Sequence, residues 1–240
     1  MFSQKIKNWF LDCVFPKYCL GCGCFLESAA KTYLCQNCQN KITVNSEFFC
    51  PICLKRLADS TFKKCRHSNK KSSLDFLGFA TSYENPVIKD LIHKYKYAFA
   101  KEIRWTLAQT LIFYLNKAFE DDFSRYALVA IPLHRRRFNW RGFNQSEEVA
   151  KILSVHFRMP ILNNCLFRAK QTDSQAGLKD FQKRKLNLEN AFTLKNQELL
   201  KNKNIILLDD VYTSGATLEE AAKALKSAGT KRIIGLVIAK

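Results

Sequence analysis

Two kinds of apolar pattern alternate along the chain beyond residue 75. Short continuous apolar runs, typical of strands buried on both faces, are separated by longer segments in which apolar residues recur every three to four positions, as on one side of a helix. The predicted strands are Phe76–Tyr83, Ala127–Ile131, Ala191–Leu194, Ile205–Leu208 and Arg232–Ala239. The predicted helices are a segment that opens at Pro86, then Lys101–Ala118, Asn144–Phe157 and a last helix from Thr217. This alternation favours an α/β fold with a parallel sheet flanked by helices. Lys170–Lys185 lacks such a pattern and is predicted as a long loop.

Cysteine dominates the N-terminal part, because nine of the ten cysteines lie in the first 65 residues. A CxxC turn can place two thiolates on one tetrahedral Zn²⁺, and three such pairs occur here. The strongest predicted ligand set is Cys19, Cys22, Cys35 and Cys38. The second predicted set is Cys50, Cys53, Cys65 and His67. It is the weaker one, because its last two ligands are separated by one residue instead of two. Interleaved pairing stays open, since sequence does not fix connectivity.

A polar and charged stretch, Arg66–Ser73, reads as a linker. We therefore predict two domains, with an N-terminal helix and a zinc-binding ribbon in residues 1–70 and the α/β domain in residues 71–240. A ribbon this small cannot build an adequate core without metal.

The chain carries a formal net charge of +18, from 39 Lys and Arg against 21 Asp and Glu over 240 residues. Such an excess favours anionic partners, namely phosphate esters, nucleic acid or an acidic membrane surface. Alternatively, part of the excess is only a solvated lysine-rich surface. No apolar run approaches the roughly 18–20 residues of a transmembrane helix, and Met1–Cys13 has amphipathic spacing and not that of a signal peptide. We expect a cytoplasmic protein without membrane insertion, in which clustered cysteines bind metal more readily than they form disulfides.

The most informative segment is residues 205–217, where an apolar run meets two carboxylates, Asp209 and Asp210, and then a small hydroxyl-rich turn. Thr217 followed by Glu220 has the spacing of a capping box, which predicts the helix start. Free N–H groups at a helix N-terminus favour an anion, and the carboxylates can accept sugar hydroxyls or bind Mg²⁺ through its outer shell. The turn is not a Walker A loop, since no Gly-Lys-Ser/Thr follows. If the acidic pair or the turn occurred alone, the more common explanation would be a buried strand that ends in a polar loop.

A basic segment follows the strand Ala127–Ile131, with four arginines at positions 135, 136, 137 and 141. The planar fork of Arg suits phosphate oxygens, although a solvated basic loop or contacts to a nucleic-acid backbone remain alternatives. Nearby aromatic residues could stack on exposed bases or simply pack in the core. They are Tyr95, Tyr97, Trp140 and Phe143.

Residues 205–217 resemble the phosphoribosyl diphosphate (PRPP) signature of type I phosphoribosyltransferases. Several further features occur in the order found in the ComF family: the cysteine pairs, His93-Lys94-Tyr95-Lys96-Tyr97, Pro132-Leu133-His134, Arg141-Gly142-Phe143-Asn144-Gln145, Gln175-Ala176-Gly177-Leu178 with Arg184 and Asn187, and the acidic pair. The chain departs from the family at Cys65-Arg66-His67, where another CxxC is usual, which puts the second zinc in doubt.

The resemblance implies a type I phosphoribosyltransferase-like domain behind a zinc ribbon. Asp209 and Asp210 would hold the ribose hydroxyls, and Lys170–Lys185 would be the mobile active-site loop. The 5′-phosphate would be held by Tyr212, Thr213, Ser214, Gly215, Ala216 and Thr217. The candidates for the pyrophosphate loop are His134, Arg135, Arg137 and Arg141. The implied cofactors are Zn²⁺ and Mg²⁺.

Two main functions follow from this resemblance. One is a PRPP-binding phosphoribosyltransferase, a pentosyl-transferring enzyme if active, that handles imported single-stranded DNA on the cytoplasmic side during natural transformation. The other is a non-enzymatic single-stranded DNA-binding or adaptor protein with a regulatory or vestigial PRPP site, which could work with a competence helicase or other DNA-uptake proteins. Purine-salvage relatives carry a carboxylate where Thr213 stands, which argues against ordinary purine salvage. No residue is predicted to be catalytic, and no acceptor is predicted.

Overall fold

The computed structural model describes residues 14, 16–27, 30, 32–57, 65, 72–97, 100–119, 121–169 and 191–240. Several predicted features lie outside these residues. They are the N-terminal helix, the candidate ligand His67, most of the Arg66–Ser73 linker, and the Lys170–Lys185 loop with the Gln175, Arg184 and Asn187 motif.

A six-stranded mixed sheet forms the centre of the molecule. Its strands are β3 (Phe48–Phe49), β4 (Arg56–Leu57), β5 (Phe76–Thr81), β6 (Tyr126–Ala130), β9 (Asn204–Val211) and β10 (Arg232–Ala239). They are ordered β4-β3-β5-β10-β9-β6. The last four are parallel, as predicted, and β3 and β4 add an antiparallel edge.

Four more strands form two separate two-stranded antiparallel sheets. The first pairs β1 (Lys17–Tyr18) with β2 (Phe25–Leu26), and the second pairs β7 (Leu166–Arg168) with β8 (Phe192–Leu194). The strand predicted at Ala191–Leu194 therefore exists, but it pairs antiparallel with β7 and is not part of the parallel sheet.

The described part of the chain has six α-helices, besides two short 3₁₀ helices at Phe123–Arg125 and Gln197–Leu199. The α-helices are α1 (Gln36–Asn40), α2 (Pro86–Tyr97), α3 (Ile103–Ala118), α4 (Arg135–Arg141), α5 (Gln145–Phe157) and α6 (Ala216–Ser227). Asparagine side chains cap two of them: Asn85 Oδ1 accepts from the N–H of Val87, and Asn144 Oδ1 accepts from the N–H of Ser146.

Two expectations about local structure were wrong. The basic segment after β6 is not a loop but the short helix α4, because the Nδ1 atom of His134 accepts from the N–H of Arg136 and Gly142 closes the helix at φ +73°. The last helix begins at Ala216 with Gly215 at the N-cap, and not with a Thr217 cap. Gly215 takes this place because it adopts φ +76°, which glycine tolerates best.

The sheet separates two apolar cores, and β9 contributes to both through the alternation of its side chains. Ile206 and Leu208 pack in the core that α2, α3 and α5 cover, while Ile205 and Leu207 pack in the core beneath α6. Such two-sided burial explains the continuous apolar sequence of the strand.

The cysteine-rich region is joined directly to the α/β part. Strand β3 pairs with β5 through Phe49 and Leu77, and the N–H of Tyr33 donates to Thr106 Oγ1 at 2.9 Å. Leu34 and Cys38 belong to the same core as α3. The two predicted domains therefore share a sheet and a core. No helix among the described residues is long and apolar enough to cross a bilayer.

Candidate functional site

The acidic pair lies at the carboxyl end of β9, the position where parallel α/β sheets bind ligands. Asp210 continues the face of Ile206 and Leu208 toward α2. Lys96, in the last turn of α2, therefore reaches it, and its Nζ lies 2.8 Å from Asp210 Oδ1. Only 21% of the Lys96 side chain and 16% of the Asp210 side chain are exposed, so solvent screens this ion pair weakly. Although burial alone would lower the pKa of Lys96, the Asp210 carboxylate raises it.

Asp209 has different contacts from its neighbour. Its Oδ1 accepts the N–H of Asp210 at 2.8 Å and lies 3.5 Å from Ser146 Oγ, at the start of α5. Burial and the Asp210 charge raise the pKa of Asp209 to about 7, against partial relief from Lys96 and Arg168. The two carboxylates thus hold more negative charge than their neighbours offset. Hydroxyl donors or a cation would complete such a site, so the residues fit both a ribose and Mg²⁺.

The turn between β9 and α6 brings backbone N–H groups to the same end of the sheet. Its shape depends on Gly215, because a Cβ there would lie 2.3 Å from the Tyr212 hydroxyl oxygen. The Oγ of Ser214 accepts from the N–H of Ala216 at 3.5 Å. The Tyr212 hydroxyl is half-buried, and burial, Glu219 and Cys50 raise its pKa. The turn is therefore a compact backbone structure at the N-terminus of α6, which favours an anion.

Arg141, one of the four residues predicted for the pyrophosphate loop, lies within the electrostatic reach of Asp210. Burial lowers the pKa of Arg141 and the Asp210 carboxylate raises it, and its Nη1 donates to Gln145 Oε1 at 3.0 Å. His134 is used as the cap of α4, and Arg135 is exposed. Arg137 is half-buried, and its charge lowers the pKa of both Arg141 and Arg168.

Two buried donors near this arginine have no hydrogen-bond partner among the described residues. They are the Nε of Arg141 and the Nε2 of Gln145, whose residue is only 1% exposed. Buried polar atoms are normally satisfied, so these donors mark a place where a ligand oxygen would be stabilised.

Sequence reasoning assigned no site role to Lys96, Gln145, Ser146 or Arg168. Lys96 stood in a noted lysine- and tyrosine-rich helix, and Gln145 stood in the Arg-Gly-Phe-Asn-Gln string, so both carried a signal. Arg168 lies on β7, which the apolar pattern did not predict, and no signal pointed to it.

The cysteines form two clusters in the described part of the chain. The thiols of Cys19, Cys22, Cys35 and Cys38 all lie within 4.8 Å of one another, and so do those of Cys50, Cys53 and Cys65. Backbone N–H groups support the first cluster, since Cys19 Sγ accepts from Gly21 at 3.4 Å and from Cys35 at 3.3 Å. A Cβ on Gly21 would lie 2.8 Å from Cys38 Sγ, so the tight turn requires glycine. Both clusters could bind a metal such as zinc.

Comparison with known proteins agrees with this geometry. The family model described as phosphoribosyl transferase domain matches residues 141–240, which include the acidic pair and the turn. Competence protein F of Haemophilus influenzae is 32% identical over 210 residues, 85% of this chain and 89% of that protein. Competence protein ComFC of Streptococcus pneumoniae is 27% identical, covering 83% of this chain and 84% of the relative. DNA utilization protein YhgH of Escherichia coli K12 is 28% identical, covering 83% and 87%. The chain therefore belongs to the ComF family, with a phosphoribosyltransferase domain joined to an N-terminal cysteine cluster.

Proposed function

We propose that this protein binds PRPP together with Mg²⁺ and acts in natural transformation on imported single-stranded DNA in the cytoplasm. One observation carries the PRPP part: the buried acidic pair, in which the pKa of Asp209 is raised, and a glycine-dependent turn meet at the end of β9, inside the matched phosphoribosyl transferase domain. The DNA part is supported by the relatives called competence proteins and DNA utilization protein, and by the net charge of +18.

Each part of PRPP would meet a chemically suitable group. Asp209 and Asp210 would accept the ribose hydroxyls, and the N–H groups of residues 212–217 would hold the 5′-phosphate. The pyrophosphate would lie toward Arg141 and toward Gln145 Nε2, which has no hydrogen-bond partner in the described part of the chain. Bound Mg²⁺ would supply positive charge to the pyrophosphate.

If the protein is active, the bond between ribose C1 and the pyrophosphate oxygen breaks, and an acceptor atom forms a new bond to C1. This chain would contribute by orienting the ribose and by stabilising the leaving pyrophosphate through Arg141. The proposed zinc ions would have a structural role, with His67 as the fourth ligand of the second cluster.

A second candidate function is non-enzymatic: a single-stranded DNA-binding or adaptor protein whose PRPP site is regulatory or vestigial. The specific observation in its favour is that the basic helix α4 itself carries two exposed aromatic side chains, Phe138 and Trp140.

Equilibrium binding of labelled PRPP and of single-stranded DNA, measured separately, tests the proposal. The double variant Asp209→Asn with Asp210→Asn should lose PRPP binding and keep most DNA affinity. Asp90→Asn is the matched control, because it removes a carboxylate from an exposed ion pair with Lys94. A wild type that binds DNA but no PRPP would contradict the first function and leave the second. A pyrophosphate-release screen over bases and single-stranded DNA then tests turnover.

A further inference from the structure

Three aromatic rings form a row on the surface next to the acidic pair. The ring centroids of His93 and Tyr97 lie 4.8 Å apart, and those of Tyr97 and Trp140 lie 5.9 Å apart. Tyr97 is 47% exposed and Trp140 is 54% exposed. Large aromatic side chains this exposed and this close together are unusual for a surface without a binding role.

The row is connected to the acidic pair through neighbouring residues on two helices. At the end of α2, Lys96 pairs with Asp210 while the next residue, Tyr97, lies in the row. At the end of α4, Trp140 lies in the row while the next residue, Arg141, is coupled to Asp210. The rings therefore stand at the edge of the proposed PRPP site.

Arg141 also fixes the rings in place. Its guanidinium carbon lies 5.4 Å from the Tyr97 ring centroid and 5.9 Å from that of Trp140, within the range of cation–π attraction. The same guanidinium donates to Gln145 Oε1 at 3.0 Å, and this hydrogen bond limits its movement beneath the rings.

The charge around the row favours a polyanion. Helix α4 contains four arginines and no acidic residue, and Arg135 and Arg136 are exposed. On the same helix, Phe138 is 44% exposed. Rings that alternate with exposed cations are the chemistry of single-strand recognition, in which bases stack and phosphates meet positive charge.

We propose that Tyr97, Trp140 and Arg141 form a stacking platform for an unpaired base of single-stranded DNA. The phosphates of the strand run along the arginines of α4, and the stacked base lies at the edge of the PRPP site. This platform rests on the proposed function and names the surface through which the protein holds its DNA. A paired base in a duplex already stacks on its neighbours and cannot use the platform.

Fluorescence anisotropy with a labelled oligothymidylate, longer than the ~16 nucleotides that a single-strand site can span, tests the platform. Trp140→Ala should weaken binding about tenfold, in line with the loss of one base–aromatic stack. Trp140→Phe should keep most of the affinity, because it keeps a ring. The matched control is Phe113→Ala, which removes a 56% exposed ring from α3.

An abasic oligonucleotide of the same length separates stacking from charge. Its affinity should be lower than that of the intact strand and unchanged by Trp140→Ala. Equal affinity for the intact and abasic strands, equal loss in Trp140→Ala and Phe113→Ala, or equal binding of duplex DNA would each overturn the platform. Stronger binding of oligouridylate would overturn the assignment to DNA. PRPP affinity of the Trp140→Ala variant is measured in parallel, so that failure of the platform can be distinguished from failure of the PRPP site.

Discussion

Asp209→Asn should stabilise the folded protein at neutral and alkaline pH, even though it damages the proposed PRPP site. Folding raises the pKa of this carboxyl from 3.8 to about 7, because burial and Asp210 disfavour its charge. A raised carboxyl pKa means that the folded state binds more protons than the unfolded state between these two values. Stability of the wild type therefore falls as pH rises from about 4 to about 7, and the asparagine variant escapes that loss.

The size of the effect follows from the pKa difference. A shift of about three units corresponds to about 4 kcal/mol at most, of which about 2 kcal/mol develops between pH 5.5 and pH 8. Asp209 keeps part of its surface accessible, so the measured gain should be smaller, about 1–3 kcal/mol at pH 8.

Urea unfolding of the two proteins at several pH values from 5.5 to 8.5, with metal present, measures this difference. Comparing the proteins at each pH cancels the pH dependence of thiolate–metal binding, which both share. The stability difference should grow up to about pH 7 and then stay level. The electrostatic account of the acidic pair would be refuted if the Asn variant were less stable than the wild type at pH 8. A stability difference that does not change with pH would refute it as well.

Three further changes test separate parts of the structure. Lys96→Met should lower the free energy of unfolding by about 2 kcal/mol at pH 8, because it leaves Asp210 without its cation. Lys94→Met breaks only the exposed ion pair on the same helix and should cost under about 0.5 kcal/mol. Urea unfolding measures both losses, and equal losses would mean that the Lys96–Asp210 pair is unimportant. Gly215→Ala should lower thermal stability and PRPP affinity more than Gly229→Ala does. Both glycines have positive φ, but only a Cβ at position 215 would clash with Tyr212. Equal effects of the two substitutions would contradict this close approach. Elemental analysis should find two zinc ions per chain, with one lost in Cys22→Ser and none in Cys165→Ser, whose cysteine belongs to neither cluster. A single zinc in the wild type would rule out the second site.

Local features of the site were predictable from sequence. The apolar run of β9, its acidic end and the glycine turn are adjacent in the chain, so strand burial and helix-end chemistry place them together. The four-cysteine cluster was predictable for the same reason, because each CxxC turn is local.

The contacts that set the charge of the site were not predictable, because they join distant segments. Lys96 and Asp210 are 114 positions apart, and only the packing of α2 on the sheet brings them to 2.8 Å. The addition of β3 to the sheet likewise rests on a two-residue strand, which is too short to show a periodicity, and on the single pair Phe49 and Leu77. The cap at Gly215 was missed because Thr217 and Glu220 matched a capping box, whereas the Tyr212 ring and the positive φ of the glycine decide the turn.

Calorimetric titration of the metal-loaded full chain with PRPP, with and without Mg²⁺, tests the central claim most directly. The account predicts one PRPP per chain in the presence of Mg²⁺, and loss of that heat when Asp209 and Asp210 are both replaced by asparagine. A wild type that gives no binding heat, or a double variant that binds as tightly as the wild type, would contradict it.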